Sequence, residues 1–333
     1  MLLFVADSNM KFSIVIPTYN GAEFVEQAIH SAINQTRKAD EIIISDDNSS
    51  DDTLEICHKY GDIVSIFKNE SGPSGFVNGW NNAIKHANSE YVSILHQDDC
   101  LKPTFLEEVE NALKDNTGIK HVFASCEYID ENGYVTSTAA ITDGLIKVYS
   151  GTEYIKAYQQ IGHPHIHRCP GVVTHKDIFK VCKYRTEAGH IADDDFFYRV
   201  AQYTNVLGIH KPLAQYRQHG KSETGHLGEI NLIQRLIHDY SFQLQHLNEN
   251  IAFDEECKWY IRNWLIKVIE MELVHSLRNN CKNVYDEYLR DVNILKEYGL
   301  QKSNKTKVFE LCAKAFGFAL AQKIIRGLYL IAK

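Results

Sequence analysis

Two pairs of adjacent carboxylates, Asp46-Asp47 and Asp98-Asp99, each close an apolar, β-branched run: Glu41 to Ser45 and Tyr91 to Leu95. At the end of a buried strand such a pair costs free energy unless a cation or a hydrogen-bond donor compensates. The segments around them constrain the fold class. Phe12 to Ile16 is a continuous run of the kind that forms a strand buried on both faces, and it stops at Pro17-Thr18-Tyr19-Asn20. Phe24, Val25, Ala28, Ile29, Ala32 and Ile33 then repeat at helical spacing, with Asn20 placed to cap that helix and Glu23 as its capping partner. A helix capped by Ser50 or Asp51 is expected to run to about Tyr60, a strand over Ile63 to Phe67, and a helix over Asn78 to Ala87. Pro103 stands where it could open another helix at its first position. Strand and helix alternating at this spacing imply an α/β fold, with parallel strands joined by right-handed crossovers. In such sheets ligands bind beyond the carboxyl ends of the strands, so order alone sets both acidic pairs on one rim.

Which ligand could use that rim is narrowed by what is missing. A dinucleotide site wants G-x-G-x-x-G after the first strand, where the chain has Pro17-Thr18-Tyr19-Asn20-Gly21, and no G-x-x-x-x-G-K-[ST] occurs. Asp46 to Asp52 resembles a calcium loop superficially, but it lacks the central glycine and follows a strand. The net charge of −8 argues against a nucleic-acid binder, because phosphate backbones demand concentrated Lys and Arg. A nucleotide sugar fits: one carboxylate accepts from the imide N–H of a pyrimidine, and another holds a metal on the diphosphate. Each acidic group also has a plain structural explanation. Asp46-Asp47 could cap a helix, Asp98-Asp99 could sit in a turn, and Asp193-Asp194-Asp195 could dress a helix N-terminus. For Asp194 and Asp195 the structural explanation is preferred.

Taken together, five segments carry a resemblance. Ser13 to Asn20, Ile43 to Ser49, Gln97-Asp98-Asp99, and Ala192 to Arg199 followed by Tyr216-Arg217-Gln218-His219 resemble, in order, the motifs of the inverting nucleotide-sugar glycosyltransferases of family 2. The resemblance covers about residues 12 to 224. It implies a GT-A-type fold with a mostly parallel central sheet flanked by helices, and it says little about the last third of the chain, where helical spacing points to a helical C-terminal extension. It also implies roles. Pro17, Thr18, Tyr19 and Asp47 hold the base, Asp98 lies near the ribose or sugar, and Asp99, with His219, binds Mg²⁺ or Mn²⁺ on the diphosphate. Asp193 is the general base for the acceptor hydroxyl. Two positions depart from the family pattern. His96 stands where a further Asp is common, and Trp80 stands where an Arg is common, which leaves the phosphate contact to Arg217, His219 or Lys221. By resemblance the donor is a UDP- or dTDP-sugar, and the acceptor a glycan or a polyprenyl-diphosphate-linked glycan of bacterial surface polysaccharide. Two other classes remain for comparison. A sugar nucleotidyltransferase would want a basic, glycine-rich first loop, and a binding protein on a degenerate transferase fold should have lost Asp99 or Asp193.

The rest of the chain is less specific. With 333 residues, one α/β domain over 12–225 and a helical region over 226–333 are expected, after an N-terminal extension of 1–11. The apolar run Leu2 to Ala6 is too short for a signal sequence, and Met10-Lys11-Phe12 leads so directly into the first strand that Met10 is favoured as the start. Eight scattered Cys without metal-type spacing suggest reduced thiols and a cytoplasmic location. His163-Pro164-His165-Ile166-His167 alternates like a metal site, but Pro164 disturbs a strand and no acidic partner is evident. An acceptor-side loop or plain surface is preferred there. Ile230, Ile233, Leu236, Ile237 and Tyr240 keep helical spacing, as do Trp259, Tyr260, Trp264, Leu265, Val268 and Ile269. Val308 to Ala332 is apolar, yet Lys314, Lys323 and Arg326 interrupt it, so a membrane-surface helix and a last core or dimer helix are equally good readings.

Overall fold

The computed structural model describes residues 10–138, 141–159, 166–222, 229–279, 281–304, 306–308, 310–311 and 323. The chain divides into two compact units, 1–219 and 220–333.

The first unit is built on β1 (Phe12–Thr18), β2 (Glu41–Asp46), β3 (Ser65–Lys68), β4 (Tyr91–Ile94), β5 (Cys100–Leu101), β6 (His121–Ile129), β7 (Val135–Thr138), β8 (Ile146–Tyr149), β9 (Val172–His175) and β10 (Val206–Arg217). They form one sheet in the order β3-β2-β1-β4-β9-β6-β10-β5, with β7 on β6 and β8 on β10. β1 pairs in parallel with β2 and with β4, so the acidic ends of β2 and the loop after β4 flank the end of β1 on one rim. β9 enters antiparallel between β4 and β6, and β10 returns parallel to β6. Pro212 lies in the middle of β10, where it has no N–H to give, and the register of the β10–β6 pair shifts on both sides of it.

The helices are α1 (Val25–Ile33), α2 (Thr53–His58), α3 (Phe76–His86), α4 (Phe105–Asp115), α5 (Gly151–Tyr158), α6 (Lys176–Val181) and α7 (Ala192–Val200). α1 buries Val25, Ala28, Ile29 and Ala32 against the sheet, where they join Ile14, Ile16, Ile44, Phe105 and Val109 in one core. Its start corrects the expected capping box. Asn20 does not cap it: Asn20 has a φ of 47°, and its side chain accepts from Ser50 N at 2.8 Å. The cap position falls at Phe24, with no side-chain hydrogen bond. α4 likewise begins at Phe105, two positions beyond Pro103.

His167, from the histidine-rich run, is a core residue. It is fully buried, its Nε2 lies 2.6 Å from Tyr154 Oη, and its ring packs on Phe123 and Phe197. Residues 163–165 fall outside the described residues, as do 1–9 and nearly all of 312–333. The second unit contains α8 (Glu229–Gln245), α9 (Glu255–Asn279) and α10 (Lys282–Glu297), with α9 packed on both others. Ile233, Ile261, Leu265, Val268 and Leu295 are buried there, whereas Trp259 is exposed. Glu272 of α9 is fully buried, and neither of its carboxyl oxygens has a hydrogen-bond partner among the described residues. Burial, then the negative charge of Asp291, pushes this carboxyl up to about 8. No helix among the described residues is long and apolar enough to cross a membrane.

The approach of β9 to β6 leaves room only for glycine at residue 171, where a Cβ would stand 2.7 Å from the carbonyl oxygen of Ala124. Gly171→Ala is expected to destabilise the first unit by about 1–3 kcal/mol, read as a lowered urea midpoint. An unchanged midpoint would mean that β6 can yield.

Candidate active site

The loop after β1 is stitched to the loop after β2. Asn20 N donates to Ser49 Oγ at 2.9 Å, Gly21 N to Thr53 Oγ1 at 2.8 Å, and Ala22 N to Asp51 Oδ2 at 3.2 Å. Asp46 closes the same seam, accepting from Thr18 Oγ1 and from the backbone N–H of Ser49, each at 2.9 Å. Gln97 closes the other side with a pair of bonds to the Tyr19 backbone, Tyr19 N to Oε1 at 2.8 Å and Nε2 to Tyr19 O at 3.1 Å. Pro17 and Thr18 therefore belong to a fixed strand end, and the Tyr19 ring, 46% exposed, lies open above it.

Asp47 is placed differently from a carboxylate waiting for a base. Its Oδ1 accepts from Asn69 Nδ2 at 2.7 Å and Ser74 Oγ at 2.8 Å, and its Oδ2 from Ser74 N at 2.7 Å and Gly75 N at 3.1 Å. A carboxylate offers about four lone-pair sites, so a base N–H reaching Asp47 has to displace one of these donors. In this arrangement Asp47 anchors the 69–75 segment that leads into α3.

Asp98 and Asp99 differ in environment. Asp99 is 1% exposed; its Oδ1 accepts from Arg217 N at 2.8 Å, while Oδ2 has no hydrogen-bond partner among the described residues. Burial, then the charge of Asp98, pushes Asp99 up to about 6. Asp98 has its Oδ2 3.0 Å from His219 Nε2. Burial works against its charge, but the bond to His219 and the nearness of His96 outweigh it and hold Asp98 below the usual carboxylate range.

His219 thus meets Asp98 rather than Asp99, and a different histidine stands beside Asp99. His96 Nδ1 lies 3.4 Å from Asp99 Oδ2, and His96, Asp98 and Asp99 each present a ligand atom within 4.8 Å of the others. The orphaned, buried Asp99 Oδ2 and the mixed imidazole and carboxylate donor set fit a divalent cation such as Mn²⁺. Trp80 stacks on His96, with ring centroids 5.0 Å apart and planes 19° from parallel. The two departures from the family pattern, more than a dozen positions apart in sequence, are one contact in space.

Arg217 does not offer its guanidinium to a ligand. It is 1% exposed, and Nε donates to Asp98 O at 2.7 Å, Nη1 to the carbonyls of Asp130 and Glu131 at 3.0 and 3.2 Å, and Nη2 to Gln27 Oε1 at 2.7 Å. The expected phosphate contact is replaced by a structural one, because backbone carbonyls take the donors. Lys221, also expected at the phosphate, is exposed and belongs to the second unit.

Asp193 sits in the first turn of α7 and accepts from Asp194 N at 3.0 Å. Burial, then the charge of Asp194, pushes it up to about 7. Asp194 is held by Tyr158 Oη at 2.5 Å, and Asp195 is consumed by Arg199, whose Nε and Nη2 lie 2.9 and 2.6 Å from its Oδ2. Sequence reasoning missed His96 as a metal-ligand candidate, Gln97 as the brace of Tyr19, and Arg168, whose Nε donates to Tyr128 Oη at 3.1 Å. The substitution at 96 was visible, but nothing in the sequence tied it to Trp80.

Comparison with known proteins gives this geometry a family. Residues 13–176 match the model of glycosyl transferase family 2, a span that ends before Asp193. An uncharacterized glycosyltransferase of Rickettsia typhi is 31% identical over 219 residues, 64% of this chain; the chain spans 65% of that relative's length. The Campylobacter jejuni GalNAc(5)-diNAcBac-PP-undecaprenol β-1,3-glucosyltransferase is 39% identical over 119 residues, 35% of this chain and 38% of the relative. Among solved structures, Staphylococcus aureus TarS 1–349 with UDP superposes with a TM-score of 0.55 at 16% identity, over 88% of this chain and 93% of that one. A mannosyltransferase from Pyrobaculum calidifontis with GDP-Man and Mn²⁺ gives 0.54 at 14% identity, over 94% and 86%. Residues 13–176 are thus a glycosyl transferase family 2 domain, and the chain has the GT-A-type fold.

Because Asp99 titrates near 6, a metal that binds it below that pH must displace a proton. Mn²⁺ affinity measured by calorimetry is expected to fall by roughly tenfold per pH unit below about 6 and to be level above 7. A flat profile down to pH 5 would remove Asp99 from the metal site.

Proposed function

We propose that this chain is a metal-dependent inverting glycosyltransferase. It moves a sugar from a UDP- or dTDP-sugar to a hydroxyl of a glycan acceptor, lipid-linked, in the assembly of a bacterial surface polysaccharide. The observation that carries the reading is the pairing of two unlike acidic groups on one domain. Asp98-Asp99 with His96 suits a cation, and Asp193, held near neutrality, suits a proton acceptor. The relatives lend support: one is named for an undecaprenyl-diphosphate-linked glycan, one neighbour was solved with UDP, and another with Mn²⁺.

Each residue then has a task. The Tyr19 ring offers a face for the base, and Gln97 and Asp46 keep the loop that carries it in place. Asp98, Asp99 and His96 hold the metal, which when bound stabilises charge on the departing diphosphate. Asp193 accepts the proton of the attacking hydroxyl, and a base with a value near the working pH combines availability with strength. Attack from the side opposite the leaving group inverts the anomeric centre. Arg217 acts indirectly by fixing Asp99 and the backbone of Asp98. A degenerate binding protein is the second reading, but the retained Asp99 and Asp193 speak against it. A cytoplasmic location is in keeping with the reduced cysteines expected from the sequence.

A base is active only when deprotonated, so kcat/KM should fall as pH drops below about 7. Asp193→Asn should reduce transfer by roughly 10²–10⁴-fold while UDP affinity holds. Asp194→Asn removes the neighbouring charge and should move the limb to lower pH; an unmoved limb would assign the titration elsewhere.

For the membrane, the basic segment 308–332 is the proposed contact. Truncation after Leu311 keeps Glu310, which accepts from Tyr288 Oη and pairs with Lys302, each at 2.6 Å. The truncated chain should no longer float with anionic vesicles, and continued flotation would defeat the idea.

A further inference from the structure

Position 96 sets an imidazole among carboxylates. His96, Asp98 and Asp99 each bring a ligand atom within 4.8 Å of the others, and His96 Nδ1 lies 3.4 Å from Asp99 Oδ2. Two donors that share one small divalent ion at about 2.1 Å each stand roughly 3–3.5 Å apart, so this spacing suits a common cation. The same Oδ2 is buried and has no hydrogen-bond partner among the described residues. The imidazole changes which cation is suited. Mg²⁺ takes oxygen ligands and gives up its waters reluctantly, whereas a ring nitrogen favours the first-row transition ions, increasingly from Mn²⁺ to Co²⁺ and beyond.

Trp80 fixes that imidazole. Its indole stacks on His96 with centroids 5.0 Å apart and planes 19° from parallel. The indole is itself walled edge-on by Phe76 at 5.2 Å and by Tyr184 at 5.3 Å. Tyr184 is buried, and Asn81, next to Trp80, clasps its backbone: Asn81 Nδ2 donates to Tyr184 O at 2.9 Å, and Tyr184 N to Asn81 Oδ1 at 3.3 Å. A ring free to turn loses rotamer entropy when it ligates; a ring already packed face to face loses little. An aspartate at 96 would have no ring face to stack, and an arginine at 80 would set a positive charge against a cation held partly by a neutral ligand. The two departures from the family pattern therefore suit each other chemically.

We propose that His96 makes this site select a first-row transition ion over Mg²⁺, and that Trp80 is the positioning residue that holds the imidazole for this task. The proposal rests on the glycosyltransferase reading and deepens it by naming the class of ion. The experiment titrates CoCl₂ and MgCl₂ separately into the full chain by calorimetry. Wild type is expected to bind Co²⁺ about tenfold or more tighter than Mg²⁺, and His96→Asp should shrink that ratio by about tenfold or more. Trp80→Ala should weaken Co²⁺ by about tenfold and leave Mg²⁺ within about twofold, while Trp80→Phe, which keeps a ring face, should stay near wild type. A merely structural tryptophan would weaken both ions alike, and that result removes Trp80 from the role. Tryptophan emission gives a second reading that does not need the His96 variant to fold: Co²⁺ should quench it, Mg²⁺ should not, and Trp80→Phe should lose the quenching. Equal affinities in wild type, a ratio unmoved in His96→Asp, or quenching unmoved in Trp80→Phe overturns the proposal, as does a wild type that binds neither ion. UDP titrated in the presence of Co²⁺ separates the two claims. A wild type that selects Co²⁺ but binds no UDP defeats the glycosyltransferase reading, while UDP binding without preference between the ions defeats only this one.

Discussion

A single buried guanidinium ties the rim together. Arg217 ends the long strand β10, yet its donors reach the loop after β4, the turn after β6 and the first turns of α1. Its backbone N–H also orients Asp99. Its charge sits over the Phe24 ring at 4.8 Å, which also contacts His219 at 4.7 Å. An ion this deeply buried is tolerated because polar groups surround it on every donor. Remove that tie and the loop that carries the two aspartates loses its anchor to the end of β10 and to the turn after β6. The acidic pair therefore depends on a residue well over a hundred positions further along the chain.

The architecture was readable because it follows from periodicity. Buried runs at Phe12, Glu41 and Tyr91, separated by helical patterns, leave few arrangements of a parallel sheet, and the acid pairs had to fall at one rim. What sequence could not show was how each polar side chain is used. Asn20 and Asp47 are the kinds of residue that cap a helix or meet a ligand, and here both serve loops, because several backbone donors lie within reach only after β1 and β2 are paired. Arg217 had the composition of a phosphate ligand and the surroundings of a core residue. His96 and Trp80 each read as a missing family residue; only the fold reveals that one stacks on the other.

Asp99 and Asp193 are set apart by burial and by neighbours of the same sign. Asp98 pushes Asp99 up, and Asp194 pushes Asp193 up, while burial acts on both in the same direction. In each pair one member is anchored by a donor, His219 for Asp98 and Tyr158 for Asp194, and its partner is left more open to protonation. The same local device thus raises one carboxyl in each pair. The difference lies in the third group: an imidazole beside Asp99, and the backbone of a helix N-terminus beside Asp193.

The buried carboxyl of Glu272 gives the helical unit a property of its own. In the unfolded chain this group ionises at its ordinary acidic value, whereas inside the helices it stays neutral until about pH 8. Its contribution to stability is therefore complete at low pH and is lost as pH rises through about 8. Near neutrality, folding of this unit draws a proton from the solvent, so its assembly is a chemical reaction with hydrogen ion as a reactant.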